Sequence, residues 1–444
     1  MNNFETVIGL EIHIELSTGS KMFCTCSADY FGAKPNTHTC PICLGLPGAL
    51  PKANRLAIEY TLKLGMALNC QGQLSSKFDR KNYFYPDLCK GYQISQYDKP
   101  FSQKGYLEIK TGETTKRIGI TRTHLEEDTG KLSHAVVNDQ RVTLIDFNRS
   151  GVPLMEVVSE PDLNSASEAK VYSQKLQQIV RYLKISDADM EKGSMRIEPN
   201  ISLRKMGDKS IPHYKVELKN INSFKFAEKA INYEVERQEK ILESGKIPDQ
   251  ETRGWDEKNN RTVSQRSKEL AHDYRYFPEP DLVPFVFNKN YFLKLKNDLP
   301  ELPDEKRSRF KKDYQLTDYD IEILAREKDL ADYFEEAVKV GSKHAVTPKQ
   351  IANTIINQKP NIATVMPAKL IQKIISQTKT STVGQEELEQ IVDQVLLENL
   401  KAVEDYKEGK ENALMFLIGQ VVRKLAKKSD PTLIQKLLIE KIKT

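Results

Sequence analysis

The chain has no run of 18 apolar residues, so no segment of it reads as a membrane span. Its first residues, Met1-Asn2-Asn3-Phe4-Glu5, carry neither a basic stretch nor an apolar core. No secretory leader is read there, and a cytoplasmic location is expected. The phosphate-binding loop G-x-x-x-x-G-K-[ST] is missing, as is a G-x-G-x-x-G opening a helix. No G-x-S-x-G or serine–glycine stretch marks an amide-hydrolysing serine. If the chain handles nitrogen, it does not obviously liberate it. Fixed-period repeats and low-complexity tracts are also absent. Cysteine is scarce, at six residues in 444. A disulfide framework is therefore not expected in a chain of this size and compartment.

Four of those cysteines cluster as Cys24-Thr25-Cys26 and Cys40-Pro41-Ile42-Cys43. Two short knuckles at this spacing feed one tetrahedral four-sulfur site, so a structural zinc is expected at Cys24, Cys26, Cys40 and Cys43. Such a closed site has no open position and serves as scaffold. The length implies roughly two to three domains. Hydrophobic residues make up 39% and charged residues 29%, the balance of a globular chain. Net charge is only +5, yet Lys410–Thr444 holds eight Lys/Arg against three Asp/Glu. A basic end of this kind points to an acidic partner such as nucleic acid.

Gly9-Leu10-Glu11-Ile12-His13-Ile14-Glu15-Leu16 alternates strictly, as a strand does. Two carboxylates flanking an imidazole on one face can hold a hard divalent cation. Further acid-bearing segments, Thr121–Asp128, Met190–Asn200 and Val216–Ser223, place carboxylates beside Arg, Lys or Asn. Phosphoryl transfer needs that mixture, with carboxylates for Mg²⁺ and cations for the moving phosphoryl group.

Residues 1–150 read as short strands (Val7–Leu16, Leu107–Lys110, Lys116–Arg122, Val142–Asn148) around one helix at Ala53–Leu68. Helices are expected at Ser165–Leu183 and Phe224–Glu243, and strands at Met195–Leu203 and Lys215–Leu218. Two segments, Lys77–Asp87 and Asp273–Asp281, mix aromatic and charged residues and contain proline. After Pro300-Glu301-Leu302-Pro303 the period is helical throughout, from Tyr319–Val340 to Glu411–Lys428 and Thr432–Lys443. Breaks are read at Ser381/Thr382 and Asp430-Pro431. In the last two helices, stripes through Leu414, Leu417, Ile418, Val421 and Leu425 and through Ile434, Leu437, Leu438 and Ile442 are expected to pack together with their cations outward. The fold class is α+β with an all-helical appendage.

Glu5–His13, Lys77–Asp87, Tyr92–Gln96, His124–Gly130, Asp146–Gly151, Glu156–Asp162, Glu217–Ser223 and Asp273–Asp281 together resemble the B subunits of bacterial and organellar aspartyl/glutamyl-tRNA(Asn/Gln) amidotransferases. Lys410–Gln420 resembles their tail. The resemblance implies a β-sheet cradle like the glutamine synthetase catalytic domain over residues 1–292, a helical domain over 293–378 and a small tRNA-binding helical tail over 379–444. It implies that ATP phosphorylates the carboxylate of Glu on tRNA(Gln) or Asp on tRNA(Asn). Ammonia from a partner amidase subunit then displaces the phosphate, and a small third subunit clasps the pair. By match to the family motifs, Glu11, His13, Glu127 and Glu217 are expected to ligate Mg²⁺, with Glu126 and Glu198 in the ATP–metal region. Lys81, Arg196, Lys219 and Arg275 are expected to meet phosphate or acyl-phosphate charge. The chain has Ile197-Glu198 where the family usually has Cys-Asp. The alternatives are a non-catalytic zinc-knuckle RNA-binding protein and a free-standing carboxylate–amine ligase.

Overall fold

A computed structural model describes residues 3–267, 274–380, 385–425 and 431–443. Asp273, the Ser381/Thr382 break, Asp430 and the tail lysines Lys427 and Lys428 lie outside the described residues. The chain divides into two compact units, Met1–Glu305 and Lys306–Thr444. The division falls beyond 292/293 because Leu295, on the helix Lys289–Asn297, is buried in the first unit's core.

The first unit begins with β1 (Phe4–Glu15), α1 (Arg55–Ala67), β2 (Gln71–Gly72), β3 (Ser75–Ser76), β4 (Asp79–Asn82) and β5 (Tyr92–Ser95). It continues with β6 (Ser102–Thr111), β7 (Thr114–Glu127), β8 (Lys131–Val137), β9 (Gln140–Asp146), β10 (Pro153–Ser159) and α2 (Ala166–Tyr182). It closes with β11 (Met195–Lys205), β12 (Val216–Lys219), α3 (Phe224–Glu243), β13 (Glu251–Asp256), β14 (Arg261–Ser267), β15 (Phe277–Pro278), β16 (Phe285–Val286) and α4 (Lys289–Asn297). Nine strands form one sheet in the order β14-β13-β12-β11-β1-β10-β7-β6-β2. Its pairings are antiparallel except β12 with β13.

The alternation of β1 explains the layering. Ile8, Leu10, Ile12 and Ile14 are buried on one face, where they share a core with Leu62 of α1, Tyr172 and Leu176 of α2, and Ile231 of α3. The other face is left for Glu11 and His13. Each helix starts at a side-chain cap: Asn54 accepts from the amides of Leu56 and Ala57, Ser165 from Glu168 and Ser223 from Phe226. Such a cap contributes about 1 kcal/mol. A three-stranded sheet, β15-β4-β5, meets β7 where the Ser95 hydroxyl donates to Glu126. The strand expected at Val142–Asn148 is β9, two residues earlier, because it pairs with β8 through a two-residue turn. Asn138 and Asp139 in that turn both have positive φ, as a type I′ hairpin requires.

The helices that follow are α5 (Pro303–Tyr314), α6 (Asp318–Leu324), α7 (Lys328–Ser342), α8 (Pro348–Gln358), α9 (Pro367–Thr380), α10 (Gln385–Glu398), α11 (Leu400–Lys407), α12 (Asn412–Lys424) and α13 (Pro431–Lys443). The single helix expected over Tyr319–Val340 is split between α6 and α7. The break lets Ile321 and Leu324 face the same core as Phe334 and Ala337. A separate core joins Leu388 and Val392 of α10 to Leu417, Val421, Ile434 and Leu438. The two tail stripes therefore pack together. Cations of this region also form surface ion pairs. Lys410 pairs with Asp405 at 2.6 Å, Lys424 with Glu398 at 2.5 Å and Lys441 with Asp393 at 2.6 Å. Among the described residues, no helix is long and apolar enough to cross a membrane.

Candidate functional site

Strand register brings together residues that are far apart in sequence. On β10, Glu156 stands opposite His13 of β1 on one side and His124 of β7 on the other. On β11, Glu198 stands opposite Glu11 and Arg196 opposite His13. Side chains two residues apart share a face, so one face of the sheet gathers acids from five strands.

Two ligand groups result. In the first, atoms of His13, Glu126 and Glu156 lie within 4.8 Å of one another. His13 Nε2 is 3.5 Å from Glu156 Oε2 and 4.0 Å from Glu126 Oε1. His124 backs both carboxylates, with Nε2 3.1 Å from Glu156 Oε2 and 3.6 Å from Glu126 Oε2. The second group is Glu11, Glu198 and Glu217, again within 4.8 Å. Asn200 donates to Glu11 Oε1 at 3.0 Å, and the buried Thr252 hydroxyl to Glu217 Oε2 at 3.0 Å. Lys219 Nζ lies 2.8 Å from Glu198 Oε2 and 3.3 Å from Glu217 Oε1. Glu198 thus joins Glu11 and Glu217 in this group.

Burial opposes charge on His13, but the adjacent carboxylates, Glu156 first, outweigh it and push the imidazole up to about 9. Burial likewise works against Glu156, yet the charges of His124 and His13 hold its carboxyl well below the usual range. Glu11 is pushed up by burial and by its neighbours Glu156 and Glu198. For Lys81, on β4, burial is outweighed by the charges of Glu126, Tyr276 and Glu156, which push its ammonium up. Its Nζ lies 5.0 Å from the Tyr274 ring centroid and 5.8 Å from that of Tyr83.

Not every expected residue joins these groups. Glu127 lies outside both. Adjacent residues of a strand point to opposite faces, and its carboxylate instead takes the Ile94 amide at 3.0 Å and Lys90 at 2.6 Å. Glu126, its neighbour, is the one that joins His13 and Glu156. Glu15 also leaves the set: Tyr30 donates to it at 3.0 Å, and burial beside Asp128 pushes it up to about 8. Arg196 is directed to Asp128, 2.5 Å away. Arg275 is exposed, with a backbone φ of 42°. The ligand-group residue Glu156 and the His124 that backs it are missed by the sequence reading, although both fall in segments that resemble the family. For His124 the signal is its i, i+2 spacing from Glu126 on β7, whereas Glu156 is flanked by apolar residues on β10 and carries no such signal.

Both groups fit a hard divalent cation. Their donors are carboxylates with one imidazole, a set suited to an oxygen-preferring ion. The buried His13 Nδ1 has no hydrogen-bond partner among the described residues. The sulfur cluster is separate: Sγ atoms of Cys24, Cys26, Cys40 and Cys43 lie within 4.8 Å of one another. All four are free thiols, and the fully buried Lys21 places its ammonium 3.7 Å from Cys43 Sγ. A hydrogen bond from Cys24, aided by the Cys40 backbone and by Lys21, holds the Cys43 thiol below its ordinary range. Four sulfurs at this separation fit a tetrahedral zinc.

Residues 6–293 match the family described as the GatB/GatE catalytic domain, and residues 349–442 match the GatB domain. The chain is 46% identical to the B subunit of the aspartyl/glutamyl-tRNA(Asn/Gln) amidotransferase of Carboxydothermus hydrogenoformans, over 100% of this chain and 99% of that one. It is 46% identical to the protein of the same name from Persephonella marina, over 99% of this chain and 100% of that one. The identity to its counterpart in Thermodesulfovibrio yellowstonii is also 46%, over 99% of both chains. Both halves of the chain match and the likeness runs from end to end, so the chain belongs to the family of aspartyl/glutamyl-tRNA(Asn/Gln) amidotransferase B subunits.

Proposed function

We propose that this chain is the transamidating subunit of a tRNA-dependent amidotransferase, acting on Glu-tRNA(Gln), Asp-tRNA(Asn) or both. It works with an amidase subunit that releases ammonia from glutamine and with a small third subunit. The name shared by its relatives supports the substrate class, and the two ligand groups on one sheet face support the chemistry. A carboxylate is a poor acyl donor. Its oxygen therefore attacks the γ-phosphorus of ATP, the bond to the bridging oxygen breaks, and ADP leaves. Ammonia attacks the resulting acyl phosphate. A C–N bond forms, the C–O bond to phosphate breaks, phosphate leaves with the electron pair, and the surplus proton passes to solvent.

His13, Glu126 and Glu156 would hold one Mg²⁺, and Glu11, Glu198 and Glu217 a second, which would supply positive charge to offset that of the triphosphate. Asn200 and Thr252 orient Glu11 and Glu217, and His124 orients Glu126 and Glu156. Lys81 and Lys219 stay protonated and face the acid groups, where they balance phosphoryl charge. Acids on one sheet face and helices on the other support a cradle akin to the glutamine synthetase catalytic domain. The four cysteines hold a structural zinc. Use of tRNA places the enzyme with protein synthesis, in the cytoplasm.

The observation that carries this reading is the side-by-side placement of the two groups by β1. The test is transamidation by the assembled complex with each misacylated tRNA. Glu11→Ala and His13→Ala should abolish amide formation while glutamine hydrolysis by the partner continues in part. Full transamidation by the double variant overturns the metal assignment. Equal activity without tRNA points to a free-standing ligase, and absence of ATP turnover to a passive RNA-binding protein.

A further inference from the structure

Lys21, in the chain between β1 and Cys24, is a charged side chain with no exposed surface. Taking an ammonium out of water is costly, and a lysine is almost never fully buried unless it is paired. Its Nζ donates to the His38 carbonyl at 2.7 Å, to the Phe147 carbonyl at 3.4 Å and to Cys43 Sγ at 3.7 Å. Those acceptors occupy the N–H bonds of the ammonium. Among the described residues, however, no carboxylate pairs with it. Carbonyl oxygens satisfy hydrogen-bond donors but do not cancel a charge. The anion that balances Lys21 therefore has to come from the sulfur cluster.

The cluster needs such a partner in turn. Four thiolates carry more negative charge than one Zn²⁺ cancels. Water offsets the excess at Cys26 and Cys40, which are partly exposed, but Cys24 and Cys43 are buried. At Cys43 the Cys40 amide donates to Sγ at 3.1 Å, and the Lys21 ammonium adds a full charge beside it. Room for the lysine stem is built in. Gly151 has a φ of +87°, and a Cβ there would come within 3.4 Å of Cys43 Cβ and 3.5 Å of Lys21 Cδ. The same ammonium joins separate pieces of chain: His38 lies between the two knuckles, and Phe147 lies between β9 and β10, the strand that carries Glu156. Asn148 straps the same two pieces together, accepting from the His38 amide at 2.7 Å and donating to the Lys34 carbonyl at 2.7 Å.

We propose that Lys21 is the built-in counter-cation of the four-cysteine metal site, offsetting the excess thiolate charge of the zinc-loaded cluster and tying that cluster to the segment that leads into the Glu156 strand. The inference rests on the zinc reading of the cysteines and adds to it a residue that ligates no metal. A partner outside the ligand set tunes both the affinity of a metal site and the reactivity of its ligands. Here the positive charge favours the loaded site over the empty one. It also draws electron density from the Cys43 sulfur, which makes the bound thiolate a poorer nucleophile. The knuckles are thereby kept as inert scaffold beside a reactive sheet face.

The test uses the full chain and Lys21→Met, which keeps most of the apolar stem and removes the charge. Competition with a chromophoric chelator should show zinc held about 10–100-fold more weakly than in the parent, the usual loss when a partner of the metal ligands is removed. Iodoacetamide should alkylate the loaded variant, and so release its zinc, faster than it does the parent. A role in packing alone would lower the melting temperature of the metal-free and the zinc-loaded variant alike. Zinc affinity and alkylation rate both within about two-fold of the parent therefore overturn the proposal. A second measurement needs no variant: in the parent with isotope-labelled lysine, the Lys21 ammonium resonance should shift when zinc is added, and an ammonium indifferent to zinc overturns the proposal. A parent chain that binds no zinc overturns the zinc reading itself, whereas a parent that binds zinc no more tightly than Lys21→Met overturns only the role of the lysine.

Discussion

Glu156→Gln removes one charge without changing shape, at the residue that touches both histidines. In the parent, Glu156 Oε2 lies 3.1 Å from His124 and 3.5 Å from His13. Burial alone lowers the His13 pKa; Glu156 is the largest of the charges that reverse this, with Glu198 and Glu126 adding to it. In metal-free protein the His13 imidazole should therefore fall from about 9 toward or below its ordinary 6.5 when Glu156 is neutralised. The gap between 6.5 and about 9 sets an upper bound of about 3 kcal/mol on what that protonation contributes. Because the folded-state pKa is raised, that stability is fully present below pH 6.5 and is lost as pH rises through about 9. Metal-free parent protein should lose stability to denaturant across that window, whereas Glu156→Gln should be weaker at pH 6 and nearly flat above it. NMR titration of the imidazole gives the pKa, and chemical denaturation at each pH gives the stability. With Mg²⁺ present, the variant should lose about 10²–10³-fold in the rate of amide formation, as when one charge-stabilising group is removed from an active site. A His13 pKa still near 9 in the variant, or transamidation at the parent rate, refutes the reasoning.

The sulfur cluster should bind about one zinc per chain. Cys24→Ser or chelation should lower the melting temperature while the rate per folded molecule changes little, and anaerobically purified protein without zinc on elemental analysis would contradict this. In the tail, Lys410, Lys424 and Lys441 are engaged in ion pairs, so the exposed Arg423 and Lys436 are the better test of tRNA binding. Arg423→Ala with Lys436→Ala should weaken tRNA binding and flatten its log–log salt dependence by about 0.7–0.9 for each phosphate no longer neutralised. An unchanged slope would make the tail a structural cap.

Local patterns in the sequence determined much of this protein. Alternation at Glu11–Glu15 marked a strand with a polar face, and the helices expected at Ser165–Leu183 and Phe224–Glu243 begin within a residue of where the structure places them. Such signals are short-range, since period and capping depend on neighbours within about one turn. Cys24–Cys43 was equally legible, because spacing alone brings two knuckles together. The chain's motifs also pointed to its family, whose members it matches from end to end. The ligand sets were decided only by tertiary structure. Glu126 and Glu127 are equivalent in composition, and only the pairing of β7 with β10, with β5 packed beside its end, turns one toward His13 and the other toward Lys90. Glu156 was invisible as a partner of His13 because 143 positions of chain separate two residues that register places side by side. The ion pairs of Lys424 and Lys441 likewise join these tail cations to residues of α10 far away in sequence. Long-range register sets which charges meet, and it is fixed by the packing of the whole sheet and not by any local pattern.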